Sequence, residues 1–147
     1  MEKIYLSYQD YNYAINRIFK EIKKIENIHI ISIYRGSLGI GVHLSNLLNA
    51  PLSILKFQTR DGDKHEKLKM IYNAGIKKDD NLVVVDDIYD TGKTLKEVKK
   101  YLKTFFPKNK AYYFTIFGRP NNDSINFIFE NKGKWVNFLW EIIEENY

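Results

Sequence analysis

The sequence predicts an α/β fold, a mostly parallel central sheet flanked by helices. Three observations carry that expectation. Leu82-Val83-Val84-Val85 is an apolar run without polar alternation, as expected of a strand covered on both faces in a parallel sheet. A second apolar, β-branched run spans residues 28–34. Each run leads into a glycine-containing polar loop and then a helical apolar pattern, the repeating strand, loop and helix of α/β proteins.

The bounds are simple. The chain has 147 residues, which suits one domain. Its 23 basic and 18 acidic residues leave a charge of +5, a mild excess that suits anionic small molecules. There is no arginine-rich run or nucleic-acid module, so no nucleic acid is expected. With no cysteine, disulfides and thiolate metal sites are excluded. No apolar run approaches membrane-spanning length and no signal-peptide core opens the chain, so a cytoplasmic protein is expected.

In chain order, residues 1–6 alternate loosely, as in an edge strand. Ser7 and Asp10 mark a helix start. Tyr11, Ala14, Ile15, Ile18, Ile22 and Ile25 then lie on one helical face, with Arg17, Lys20, Lys23 and Lys24 mostly opposite as a solvated surface. The strand at 28–34 runs into Arg35-Gly36-Ser37-Leu38-Gly39-Ile40-Gly41, followed by a helix carrying Ile40, Leu44, Leu47 and Leu48. The planar guanidinium of Arg35 can meet an anion, and Gly36 leaves its amide open to one. Residues 51–57 read as a third strand, residues 58–66 as a mobile polar loop, residues 68–74 as a strand of a closing arm and 75–80 as a turn. The helix beginning at Thr94 shows Leu95, Val98, Leu102 and Phe105 on one face and stops before Pro107. Residues 111–117 form another strand, and residues 121–124 a turn.

The loop after the central run holds the chemistry. Asp86-Asp87-Ile88-Tyr89-Asp90-Thr91-Gly92-Lys93-Thr94 combines three carboxylates with a threonine-flanked turn at a helix start. Ligands of open α/β sheets bind beyond the carboxyl ends of strands, and a helix N-terminus suits a phosphate. Carboxylates repel phosphate, so they must serve some other purpose. Either they accept from sugar hydroxyls, or they hold Mg²⁺ beside the phosphate. A phosphorylated sugar meets both demands. A P-loop is excluded because Asp87 stands where its first glycine belongs, and a dinucleotide loop because two of its three glycines are missing.

Residues 83–94 resemble the phosphoribosyl-pyrophosphate (PRPP) signature of the type I phosphoribosyltransferases: a hydrophobic run, an acidic pair, a short variable stretch and Thr-Gly-x-Thr. Asp90 adds a resemblance to the branch acting on 6-oxopurines. Lys134-Trp135-Val136-Asn137-Phe138-Leu139-Trp140-Glu141 is similar to the C-terminal hood of bacterial xanthine-guanine phosphoribosyltransferases. The resemblance implies a core over residues 1–118 and a small hood over 119–147. It implies transfer of phosphoribose from PRPP to guanine, xanthine or hypoxanthine, giving a nucleoside monophosphate and pyrophosphate, with Mg²⁺ as cofactor. It assigns PRPP to Asp86, Asp87, Asp90, Thr91, Gly92, Lys93 and Thr94, with Asp87 at the metal and Asp90 as the general base or acid. Pyrophosphate falls to Arg35 and Gly36, with a cis peptide between them, and to Lys67 in the loop region, where Arg60 and Lys64 are further candidates. The purine falls to Arg119, Trp135 as stacking platform, Val136 and Glu141, while Trp140 is expected in the core. A homodimer or homotetramer is usual in such a family. Two alternatives stay open: a PRPP- or nucleotide-sensing regulator on the same fold, and a transferase for another base.

Overall fold

A computed structural model describes residues 2–59 and 66–141. Its main sheet has six strands in the order β4-β3-β2-β5-β6-β7. They are β2 (Ile28–Tyr34), β3 (Leu52–Thr59), β4 (Glu66–Tyr72), β5 (Asn81–Ile88), β6 (Ala111–Gly118) and β7 (Ile125–Glu130). All neighbours are parallel except β3 and β4, which pair antiparallel. A separate parallel pair joins β1 (Lys3–Tyr5) to β8 (Trp135–Asn137). The expected first strand is therefore real, but it borders the C-terminal segment and not the main sheet. No helix among the described residues is long and apolar enough to cross a membrane.

The strand pleat divides the core in two. Ile30, Val83, Val85 and Ile116 face α1 (Tyr8–Ile22) and α2 (Leu38–Leu48). Ile31, Ile33, Leu82 and Val84 face α3 (Lys93–Phe105). Residues 82–85 are fully buried, as their uninterrupted hydrophobicity requires. Ser7 caps α1 by accepting from the Asp10 amide at 3.0 Å. In α2 the inward face centres on Gly41, Leu44 and Leu48, because a Cβ on Gly41 would strike Ser32 of β2. That phase leaves Leu47 exposed at the margin. In α3, Leu95, Val98 and Leu102 are buried, but Phe105 is 62% exposed. Ten residues past Leu95 the helical phase has rotated away from the sheet, and Phe105 packs on Tyr101 instead, ring centres 4.6 Å apart.

Two elements differ from the sequence reading. Residues 125–130, unassigned from sequence, form β7 at the edge of the main sheet. The ends of the expected loop at 58–66 belong to strands: β3 continues to Thr59 and β4 begins at Glu66. Arg60 and Lys64 lie outside the described residues.

The N-terminal ends of β2, β3 and β5 are closed by polar groups. Buried His29 has Nε2 2.7 Å from Ser53 Oγ and Nδ1 3.4 Å from Asp80 Oδ2. Ser53 Oγ also accepts from the Ala74 amide at 3.0 Å. Burial lowers the His29 pKa, with Asp80 acting against that shift.

Candidate active site

The opposite ends of β2 and β5 open onto a cavity of about 700 Å³ lined by Arg35, Gly36, Gly39, Asp87, Trp140 and Glu141. It exists because the loop leaving β2 is pinned over β5. Ser37 is buried, its Oγ accepts from the Ile33 amide at 2.8 Å, and it lies 2.8 Å from the carbonyls of Ile33 and Val85. Gly36 is thereby held so close to Asp87 that a Cβ would come 2.4 Å from Oδ2. Only glycine permits this approach. The cis peptide lies at Tyr34–Arg35, one bond earlier than the sequence reading set it. The chain reverses at the strand end, where the Ser37 amide reaches back to the Ile33 carbonyl at 3.2 Å, so Gly36 is already inside the turn and against Asp87.

Asp86 is buried, and its Oδ1 accepts from the Asp87 amide at 2.9 Å. Burial pushes its carboxyl well above the usual carboxylate range, and the adjacent Asp87 charge adds to this. Burial also raises Asp87, with the Glu141 charge contributing. Neither forms an ion pair among the described residues. Desolvated anions without a partner favour an incoming cation. No cluster of three or more His, Cys, Asp or Glu forms a protein-only metal cage among the described residues. Mg²⁺ instead takes one or two carboxylates and completes its shell with water and substrate oxygens. An all-oxygen pair without a cation therefore fits that ion, with Asp87, which faces the cavity, as the holding residue.

Beside the acids, Gly92 turns at φ +82° into α3. This helix has no side-chain cap and no acid in its first turn, so its leading amides are open to an anion. Thr91 Oγ1 accepts from the Lys93 amide at 3.4 Å, a weak contact. Thr91, Gly92 and Lys93 line a second cavity of about 390 Å³ with Tyr89, Leu95, Lys96, Lys99 and Asp123. Asp90 is exposed at the head of this loop and Thr94 is partly buried in the helix.

The C-terminal wall departs from the sequence reading. Trp140, expected in the core, is 42% exposed and lines the cavity. It stacks on Phe138 with ring centres 4.9 Å apart and 8° between planes, and meets Tyr11 edge-on at 6.3 Å. A 3₁₀ turn, Leu139–Glu141, carries it there, closed by the Glu141 amide donating to the Phe138 carbonyl at 3.0 Å. Phe138 takes the inward place instead. Trp135 is 58% exposed on β8 and does not line the cavity. The Val136 side chain is buried in the core, so only its backbone faces outward. Glu141 is in place. Arg119 is exposed after β6 and lies outside the cavity lining. Lys67 sits on edge strand β4, separated from β5 by β3 and β2, and the described structure does not bring it to the acids. Ser37, Tyr89 and Asp123 were not singled out from sequence, since a lone serine, tyrosine or aspartate in a loop carries no spacing signal.

The phosphoribosyl transferase domain family matches residues 2–140. Among solved structures, the chain is similar to a purine phosphoribosyltransferase from Pyrococcus horikoshii Ot3, with TM-score 0.78, 28% identity, and coverage of 99% of this chain and 100% of that one. The Helicobacter pylori xanthine-guanine-hypoxanthine phosphoribosyltransferase shares the fold at TM-score 0.76 and 22% identity, covering 96% and 95%. So does a hypothetical protein from Neisseria gonorrhoeae with bound ppGpp, at TM-score 0.73 and 18% identity, covering 97% and 91%. With an acidic pair at the end of the central strand, a glycine loop pressed against it and an uncapped helix start beside it, the chain belongs to the phosphoribosyl transferase domain family and has a purine phosphoribosyltransferase-like fold.

Proposed function

We propose that the protein is a Mg²⁺-dependent 6-oxopurine phosphoribosyltransferase, joining guanine, xanthine or hypoxanthine to the phosphoribosyl group of PRPP with release of pyrophosphate. The observation that carries this reading is Asp87, next to buried Asp86, lining one cavity with the Arg35-Gly36 loop pressed against it. In the proposed mechanism the open amides of α3, with Thr91, Gly92, Lys93 and Thr94, hold the 5′-phosphate. Asp86 and Asp87 fix the ribose hydroxyls. Arg35 and the Gly36 amide hold the pyrophosphate, with Lys67 a weaker candidate for the same group. When bound, Mg²⁺ supplies charge neutralisation for the departing pyrophosphate. Positioning and charge stabilisation then do most of the work at a ribose carbon that becomes cation-like. Asp90 exchanges a proton with the purine ring nitrogen. Arg119 donates to the 6-oxo group, the Val136 backbone and Glu141 meet the purine edge, and Trp135 offers an exposed ring for stacking.

The test offers PRPP and Mg²⁺ with guanine, hypoxanthine, xanthine, adenine or uracil and measures the nucleotide formed. Turnover with a 6-oxopurine is expected; turnover with adenine or uracil alone overturns the base assignment. An adenine phosphoribosyltransferase from Thermoanaerobacter pseudethanolicus shares the fold at TM-score 0.64 and 15% identity, which makes adenine the informative control. A second reading, a nucleotide-sensing regulator, draws support from the ppGpp bound by the Neisseria protein. Tight ppGpp binding with no turnover on any base would favour it.

A further inference from the structure

Between the last rung of β5 and the first turn of α3, the phosphate loop has little to rest on. The Tyr89 amide donates to the Phe117 carbonyl at 2.9 Å, and α3 begins four residues later. Among the described residues, one side-chain hydrogen bond ties residues 89–92 to a part of the chain beyond α3: the Tyr89 hydroxyl donates to Asp123 Oδ2 at 2.5 Å. The buried Tyr89 side chain lies directly beneath the turn, since a Cβ on Gly92 would come 2.8 Å from its hydroxyl and 3.1 Å from its ring.

The far end of this bond is firmly seated. Asn121 accepts from the amides of Asp123 and Ile125, both at 3.1 Å, and donates to the carbonyls of Arg119 at 3.0 Å and Ile125 at 3.2 Å. Lys99 of α3 donates to the Asp123 carbonyl. The turn at 119–125 is thus an ordered block carrying Arg119 at its head. The Arg119 charge also reaches Tyr89, where it opposes the rise that the Asp123 hydrogen bond imposes on the phenol.

We propose that Tyr89 and Asp123 form a strut that sets the position of the phosphate-binding turn against the block bearing Arg119. Tyr89 is a positioning residue, acting on the turn through the contact of its ring and hydroxyl with Gly92. The strut rests on the proposed function in one respect, that the turn binds the 5′-phosphate of PRPP. A phenol–carboxylate bond of this length belongs to the stronger class of hydrogen bonds, and removing it frees the turn without opening the core.

The test is PRPP affinity by calorimetry with Mg²⁺ and no base, for Tyr89→Phe, Asp123→Ala, the double variant and Asp123→Asn. Each single variant should bind PRPP about threefold to tenfold more weakly. The double variant should be no weaker than either single one, because both remove the same bond. Asp123→Asn keeps an oxygen acceptor and should recover to within about twofold of wild type. Transfer assays should show the loss in the PRPP KM with kcat little changed, and Tm should stay within about 2 °C. Wild-type PRPP affinity in Tyr89→Phe, or losses that multiply in the double variant, would overturn the strut and leave the transferase reading intact. PRPP binding without transfer to any base would overturn the purine reading and leave the strut measurable. A wild-type protein that binds no PRPP would overturn both.

Discussion

At the N-terminal ends of β2, β3 and β5, buried His29 and Ser53 are hydrogen-bonded to each other, with half-buried Asp80 3.4 Å from His29 Nδ1. At the C-terminal ends of β2 and β5, half-buried Asp87 lines a cavity beside buried Asp86, and neither carboxyl pairs with a cation among the described residues. The same two strands thus end once in polar groups turned toward one another and once in groups turned toward a cavity. A closed network contributes stability only when its members are satisfied. An open one costs stability until something arrives to satisfy it, the usual condition of a binding site. Glycine use follows the same division: Gly36 is pressed against Asp87 at the open end, and no such approach is needed at the closed end.

Substitutions at the two ends should therefore separate activity from stability. The largest effect is expected at Asp90. Asp90→Asn should lower kcat by about 10²- to 10⁴-fold with PRPP binding retained, measured by steady-state kinetics and calorimetry; intact turnover would remove Asp90 from the chemistry. Next is Gly36→Ala, whose new methyl would displace the Asp87 carboxylate. PRPP affinity should fall about tenfold, while Tm shifts by less than about 2 °C, since the group that gives way is the end of a cavity-facing side chain. A large Tm loss would show that the loop's packing, and not the acid, occupies the contact.

Asp86→Asn should act in the reverse sense, stabilising the ligand-free protein by about 1 kcal/mol, or 2–4 °C at pH 7. The native Asp86 carboxyl takes its proton at higher pH than the unfolded one. Native wild type then holds more protons between those two pKa values, and its stability falls as pH rises through that window. The advantage of the variant should shrink on acidification through the native pKa toward the unfolded one, as followed by thermal unfolding. The smallest effect is expected at the closed end. His29 has a lowered pKa in the native state, so below about pH 6.5 the unfolded chain binds the extra proton first. Wild type should lose stability as pH falls from there toward the native pKa. In His29→Gln that component of the pH slope should be missing.

Much of this architecture is legible in the residues. Residues 82–85 announce a central strand because burial on both faces leaves no place for a polar residue, and Ser7 with Asp10 announces a cap. The acidic pair and the glycine turn are legible because their chemistry needs contiguous residues. The place of Trp140 is not, because two aromatics two residues apart compete for one inward position, and only the 3₁₀ turn decides that Phe138 takes it. β7 escapes a sequence reading because Ile125-Asn126-Phe127-Ile128-Phe129 breaks strict alternation. Tyr89 and Asp123 are 34 residues apart, and nothing in the sequence signals a contact set by the pairing of β6 with β7.

The wall bearing Trp140 and Glu141 follows directly after β8, whose strand partner is β1, through three rungs between residues 3–5 and 135–137. A ladder that short, with no third strand beside it among the described residues, opens at low free energy. Amide protons at Ile4 and Val136 should therefore exchange well before those at Val83 and Val84. Residues 3–5 and 135–137 would then loosen together as one flap, with the six-stranded sheet still intact, and changes in β1 would be felt at the far rim of the pocket.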